Sequence, residues 1–478
     1  DKLTIRLFDQ AAKDLDKELA KHYKANPGKS TIADMVESGA RGKPSQSRQI
    51  LGAPVLVKDA KERPIPMPIL TSFSDGLDTA DYWTHLHGAR RGLLSRAQGT
   101  TEPGALTKRI INASMSTIVA GEDCDTDEGV IEHVDGSIVG RYLASPAISE
   151  DKTFQKDTMV TPEVLADLKK GKIKTVQIRS PLRCAHGEGV CQKCYGVSED
   201  GEVPKLGTNI GVIAAQAIGA PSTQLAMDSF HTGSVASSRG AQAVDRFTEL
   251  KYALDVQKKM KGSAILASKG GEVTTVEKDP ESGGHRIAIG ASEHYIPPDR
   301  NLLLPFKKGD VVRPGQALTT GRVNPNELLT ATGDIRQVQE TLVKQLDDVM
   351  RSENVRKIHS EVLVKNMTDV AEVLDSGDAD NVVRGDRTTQ ARLRKVNRDL
   401  RRKKKKPVEF RQVLRPIGQV PLDAVEDWMA RLQHERLRTT VSEAAHRGWK
   451  SDIHGQHPVP GLAYGTEFGK SGRPTKPY

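Results

Sequence analysis

GVIAAQAIGAPSTQLAMDSFHTGSVAS, residues 211–237, runs from a nearly uncharged helical pattern into a segment rich in Gly and Ser. Residues 208–219 (TNIGVIAAQAIG) predict a buried helix. It is expected to break at Ala220-Pro221, because Pro lacks the N–H that a helix interior needs. A second short helix is predicted from Ser222 to His231. It would set Gln224, Met227, Asp228 and His231 on one face, at i, i+3, i+4 and i+7. That face mixes an amide, a thioether, a carboxylate and an imidazole, more polar than a core stripe. Read from the residues alone, a helix turn with a satisfied His explains it as well. Gly219, Pro221, Gly233, Ser234, Ser237, Ser238 and Gly240 supply hinge points and disorder around this helix.

Upstream lie the four cysteines, Cys124, Cys184, Cys191 and Cys194. The C-x6-C-x2-C run, with Cys124 before it, offers four soft ligands. Two thiolates separated by two residues can grip one tetrahedral ion with Zn–S of ~2.3 Å. No position is left open, so a structural ion is expected rather than a catalytic one. The irregular sequence around it is expected to lack a large core, with the metal in its place. His186 could replace one thiolate. Asp123, Asp125 and Asp127 alternate around Cys124 and could hold hard cations. A solvated acidic turn is the simpler reading, since Cys124 is already assigned.

Composition bounds the rest. With 36% hydrophobic, 28% charged and 4% aromatic residues in 478, the chain is neither collagen-like nor a disulfide miniprotein. Its longest weakly polar run, 210–220, is too short for a bilayer, which needs ~20 apolar residues. No apolar signal stretch opens the sequence, so a reduced cytoplasmic setting is expected. The net charge of +9 is local: residues 384–406 hold twelve Lys/Arg and two Asp. This basic segment reads as a linker or a solvated helix. Residues 3–24 predict an amphipathic helix, 35–54 a loop, 75–118 one kinked or two successive helices, and 261–322 β-strands. Residues 332–375 and 422–448 are again helical in pattern.

The 211–237 stretch resembles the trigger loop of the β′ subunit of multisubunit DNA-dependent RNA polymerase. Other segments resemble the same family in the same order. MVESGARGKPSQSRQILG (35–52) is similar to its F-loop. SFSDGLDTADYWTHLHGARRGLLSRAQGTTEPGALTKR (72–109) is similar to its bridge helix. The four cysteines match its second zinc site. DRFTELKYALDVQKKMKGSAIL (245–266) resembles the segment after the trigger loop, and KKGDVVRPGQAL (307–318) the jaw. TVSEAAHRGWKSD (440–452) and GLAYGTEFG (461–469) resemble the switch and clamp. The catalytic loop NADFDGD and the amino-terminal zinc site do not occur. The resemblance is therefore to the carboxy-terminal part of β′, from a split gene or a fragment. The split and the divergence favour a phage.

The resemblance implies an α+β, multi-module fold: a long bridge-type helix, a trigger helical hairpin, a zinc-bound irregular module, a small β-rich jaw module and carboxy-terminal helices. The implied modules are rim-type helices over 1–34, an F-loop-like segment over 35–72, the bridge helix over 73–119 and the zinc module over 120–207. The trigger loop and flanking helices then occupy 208–260 and the jaw-like module 261–325. A helical segment over 326–380, a basic linker over 381–407 and a switch/clamp-like segment over 408–478 follow.

It also implies a nucleotidyltransferase subunit, inactive alone, that helps add NTP to an RNA 3′ end. His231, Met227, Leu225 and Gln224 would carry the trigger-loop chemistry. His231 would reach the phosphates, and Met227 would pack on the base with Leu225 behind it. Arg90, Arg91, Thr100 and Thr101 would face nucleic acid from the bridge helix, with His87 beside them. Cys124, Cys184, Cys191 and Cys194 would hold Zn²⁺. Catalytic Mg²⁺ would belong to an amino-terminal β′-like chain with the Asp triad. Further implied partners are β-like subunits, α-like or other assembly and specificity subunits, DNA template, RNA and NTPs, with no membrane. The host cytoplasm or the virion is the implied location. Asp228 stands where the family has Arg and is expected to face away from the triphosphate, or to pair with a Lys or Arg of another subunit. Pro103 predicts a kink near 99–104. HERLR at 434–438 departs from the family's FQETT-type wording. The competing reading is a non-catalytic zinc-stabilised nucleic-acid-binding protein that uses the 384–406 run on phosphates.

Overall fold

A computed structural model describes residues 2–26, 28–38, 41–57, 59, 63–148, 152–186, 189–231, 246–258, 260, 262–278, 284–297, 302–303, 306–380, 382–424, 441–442, 444–446 and 448. Within these, the side chains of residues 2, 91–92, 94–98, 227–231, 352 and 424 are not described. The chain divides into two compact units, Asp1–Ala105 with Ser222–Phe247, and Leu106–Pro221 with Thr248–Tyr478.

The first unit is helical. Lys2–Ala25 is the predicted amphipathic helix. Ile5 and Phe8 on it pack with Ala12, Ala53, Val55 and Leu56. The expected loop over 35–54 is instead largely helix. Thr31–Glu37 runs into it, and Pro44–Leu51 forms within it. Pro44 stands at the first position, where its missing N–H costs nothing. The Gln46 side chain accepts the Lys43 N–H at 3.0 Å. Arg48 is buried and satisfied by Asp16 at 2.7 Å and by the carbonyls of Ala53 and Pro54 at 3.1 Å. Thr79–Gly99 is a second long helix of this unit, 21 residues beside the 24 of Lys2–Ala25.

Chain continuity carries two helices across the unit division. Thr101–Ser114 follows Thr79–Gly99 after a one-residue interruption at Thr100, close to the kink predicted from Pro103. Ile210–His231 is one continuous helix with Pro221 inside it, so the break expected at Ala220-Pro221 does not occur. Pro221 withholds one N–H from the carbonyl of Ala217, but the surrounding residues keep helical geometry.

In the second unit the segment 119–207 is built from short pieces. Val119–Gly121 pairs in parallel with Val190–Cys191, and Val130–His133 antiparallel with Thr175–Ile178. This segment does have a core of its own, contrary to expectation: Ile138, Leu143, Ala147, Val160, Leu168, Val176 and Ile178 are all buried together. The apolar residues are widely spaced along the sequence and gather only through the short strands. Residues 271–312 form an antiparallel sheet of Val311–Val312, Gly271–Lys278, His285–Ile289 and Ser292–Ile296, in that order. Helices Ile335–Met350 and Lys357–Thr368 pack together beyond it.

The stretch read as a basic linker, 381–407, contains the strand Arg387–Thr389 and the helix Gln390–Arg402. Leu393 and Leu400 on that helix pack on Ala371, Val373 and Val408. Two leucines seven residues apart suffice because the sheet under them is small. Residues 425–440, within the helical pattern expected at 422–448, lie outside the described residues, as do 449–478. Among the described residues, no helix is long and apolar enough to cross a membrane.

Candidate functional site

The Ile210–His231 helix is seated on the Thr101–Ser114 helix by residues too small to hold them apart. Asn209 caps the former by accepting the Val212 N–H at 2.9 Å, and its amide donates to the Met115 carbonyl at 2.7 Å. Gly211 follows, its N–H donating to Thr117 O at 3.0 Å. A Cβ at Gly211 would lie 1.8 Å from the Ser114 carbonyl oxygen. Two turns on, a Cβ at Gly219 would lie 2.5 Å from Thr107 Cγ2, and the Thr107 hydroxyl donates to the Gly219 carbonyl at 3.3 Å. Ala215 between them is fully buried. Residues 211, 215 and 219 fall at i, i+4 and i+8 on one face.

Gly211→Ala is therefore expected to destabilise the chain by about 2–3 kcal/mol, since a backbone carbonyl must move. Gly104→Ala, inside the Thr101–Ser114 helix with open space around it, should instead gain about 0.5–1 kcal/mol. Urea denaturation of the two variants measures both. Equal, small effects would mean that this seam does not set the helix spacing.

The seam ends where the second predicted helix begins. Ser222, Leu225 and Ala226 are buried and Gln224 is exposed. Met227, Asp228 and His231 lie on the same helix, with side chains outside the described residues. Ser222–Phe247 belongs to the compact unit that holds the Thr79–Gly99 helix. His87, Arg90, Thr100 and Thr101 are exposed, Gly88 is buried, and the Arg91 side chain lies outside the described residues.

The four cysteines meet although up to seventy residues separate them. Their Sγ atoms lie within 4.8 Å of one another. A tetrahedral ion with Zn–S of ~2.3 Å needs sulfurs about 3.8 Å apart. Cys124 and Cys194 Sγ are 3.6 Å apart. The Cys191 N–H donates to Cys184 Sγ and the Cys194 N–H to Cys191 Sγ, both at 3.4 Å. Hydrogen bonds from the Cys184, Cys191 and Cys194 thiols hold Cys124 far below the ordinary thiol range. Cys191 and Cys194 are correspondingly pushed up, first by their bonds to Cys124. Among the described residues this is the one group of metal-ligating side chains, and His186 is not in it.

Sequence reasoning missed what holds Cys124. The fully buried Arg179 donates to Cys124 Sγ at 3.3 Å, to Asp123 at 2.6 Å and to Asp157 at 2.5 Å. Burial opposes its charge, but the Asp157 hydrogen bond and the nearby Cys194 and Asp123 outweigh that, and its pKa is raised. Lys193 bridges the same two carboxylates at 2.5 and 3.1 Å. Burial would raise the Asp123 pKa; the bonds from Lys193, the Asp125 N–H and Arg179 lower it to about 2. Asp127 is 87% exposed and pairs with Lys156. The acidic alternation thus holds cationic side chains and builds no carboxylate metal cluster among the described residues.

A second buried ion pair lies deeper. Arg141 and Glu361 make two bonds, at 3.2 and 2.8 Å. Ser180 donates to Glu361 at 2.6 Å, and Arg141 donates to the Arg179 carbonyl at 2.8 Å. The pair joins the cysteine-bearing segment to the Lys357–Thr368 helix. A carboxylate immediately before the apolar run Val362–Val364 was its one sequence signal.

The family model for RNA polymerase Rpb1, domain 5, matches residues 76–393. The chain is 34% identical over 476 residues to the DNA-directed RNA polymerase subunit beta' of Beutenbergia cavernae, covering 94% of this chain and 36% of that protein. To the subunit of the same name in Geobacillus kaustophilus it is 33% identical over 470 residues, covering 94% and 38%. To that of Bifidobacterium longum it is 32% identical over 476 residues, covering 92% and 34%. The chain thus spans little more than a third of the length of these relatives. With two thirds of its sequence matched by one family model, the chain belongs to the RNA polymerase Rpb1 domain 5 family.

Proposed function

We propose that the chain works within a DNA-directed RNA polymerase and supplies its bridge helix and trigger loop. The bridge helix is Thr79–Gly99 with Thr101–Ser114, and the trigger loop is 208–245. The observation that carries the reading is the seat of the Ile210–His231 helix on the Thr101–Ser114 helix through Gly211, Ala215 and Gly219. It holds the root of the loop still and leaves the segment beyond Pro221 to fold over a substrate. Segments that order upon the correct nucleotide exclude water and orient the triphosphate.

Each residue then has a task. Met227 covers the incoming base, with the buried Leu225 behind it. Gln224 lies exposed on the same helix. His231 meets the phosphates and supplies a proton or a positive charge as the P–O bond breaks. Arg90, Arg91, Thr100 and Thr101 face nucleic acid. Asp228 points away from the triphosphate. Mg²⁺ supplies charge stabilisation of the transferring phosphate when bound, and its Asp triad comes from outside this sequence. Cys124, Cys184, Cys191 and Cys194 hold a structural Zn²⁺; their mutual distances and N–H···S bonds fit that ion. β-like and assembly subunits, template DNA and RNA complete the complex, in the cytoplasm of a cell.

The test is primer extension by the complex purified through this chain. His231→Ala should slow nucleotide addition by ~10²–10⁴-fold, the range of acid–base assistance, with assembly unchanged. An unchanged rate, or a chain that assembles with no polymerase partner, overturns the proposal. In the latter case salt-dependent nucleic-acid binding alone would favour the non-catalytic reading.

A further inference from the structure

The Gln390–Arg402 helix has two faces of opposite character. Gln390, Leu393, Asn397 and Leu400 are buried on the sheet. Asn397 fixes the helix about its axis: its amide donates to the Val408 carbonyl at 2.8 Å and accepts the Val408 N–H at 2.6 Å. The other face is thereby fixed too, and it exposes Arg394, Lys395, Arg398, Arg401 and Arg402. At 1.5 Å per residue these cover about 12 Å of helix.

The helix end prolongs the run. The Lys405 N–H returns to the Leu400 carbonyl at 2.9 Å, and the Lys404 N–H to the Arg401 carbonyl at 3.0 Å. This closes a turn with Lys404 at φ +56°, in the left-handed region that favours Gly. A lysine there is strained, yet it leaves the cationic run Arg401–Lys406 unbroken. Two acids of the module are engaged in ion pairs, one of them with Lys406 at the end of the run. Glu372 pairs with Arg411 and Arg387, and Asp375 with Lys406. Asp399 is 3.9 Å from Arg402. Among the described residues no carboxylate pairs with Lys395, Arg398, Arg401, Lys403, Lys404 or Lys405.

We propose that this face is a docking surface for the phosphate backbone of duplex DNA. Six unpaired cations on a rigid ridge suit a polyanion with one charge per ~1.7 Å of axis. No Phe, Tyr or Trp occurs between residues 382 and 409, so the ridge offers no stacking platform for single-stranded bases. Its exposed face has no aromatic or apolar anchor of the kind protein interfaces use. The inference stands on this module alone and does not need the polymerase reading.

The experiment is fluorescence anisotropy of the full chain with a labelled 30-bp duplex over a KCl series. The fourfold variant R398Q/R401Q/K404Q/K405Q should bind at least tenfold more weakly at low salt. Its plot of log K against log[KCl] should be shallower by about 0.9 per lost contact. Lys169→Gln with Lys170→Gln, on another exposed helix, should leave the slope unchanged. Lys404→Gly provides a readout that misfolding cannot imitate: it should raise the thermal midpoint while weakening DNA binding. An unchanged slope in the fourfold variant overturns the proposal. So does a larger loss for single-stranded RNA than for duplex DNA, or displacement of the duplex by polyglutamate at equal charge, which would assign the ridge to an acidic protein.

Discussion

Cys194→Ser is expected to abolish binding of the proposed zinc ion and to cost at least about 4 kcal/mol, the range seen when a structural metal is lost. Cys194 is fully buried, and its N–H is already committed to Cys191 Sγ. A serine hydroxyl there cannot act as a thiolate, and three sulfurs leave the ion one ligand short. The parallel pairing of Val119–Gly121 with Val190–Cys191 is only two residues deep on the Val190 side. Without the ion, Cys124 is tied to the Cys191–Cys194 turn by Arg179, by the Lys193–Asp123 pair and by the Lys193 N–H on the Glu122 carbonyl, all polar contacts that leave the thiolates without their common partner. The core of Ile138, Leu143 and Ile178 should survive, so the loss is local first. Metal content by plasma mass spectrometry, together with urea denaturation, checks this. A variant with full zinc content, or one destabilised by under about 1 kcal/mol, would mean four ordinary reduced cysteines.

Glu361→Ala is expected to cost about 3–5 kcal/mol, the usual result of stranding one partner of a buried ion pair. Arg141 and Glu361 are 3% and 1% exposed, so water cannot replace the missing carboxylate. The Ser180 hydroxyl loses its acceptor at the same time. Replacing both partners, as Arg141→Met with Glu361→Leu, should recover much of the loss, because no charge is then left buried. Chemical denaturation of the single and double variants measures the difference. A single variant as stable as the parent would show that the pair contributes nothing.

Several elements were readable from residues alone. The amphipathic spacing of 3–24, the turn signals over 261–322 and the interruption near Pro103 all act through neighbours in sequence, and each appears where it was expected. Pro221 failed as a helix breaker because one lost hydrogen bond is small beside the burial of Ile210, Ala214, Ala215 and Ile218 before it and of Leu225 and Ala226 after it. The 381–407 stretch failed as a linker because its charge hid Leu393 and Leu400, whose value depends on a sheet formed by residues 370–375 and 409–412.

The cysteine set, the helical root of the 210–231 segment and the family to which the chain belongs could all be read from the residues, since they rest on residue identity and short spacing. What surrounds them came from folding in three dimensions. Arg179 beside Cys124, Glu361 beside Arg141 and Thr107 against Gly219 are partners 55, 220 and 112 positions apart. No local periodicity encodes such pairs. They form because burial leaves a charge or a carbonyl no water to turn to, and the fold must bring it a partner.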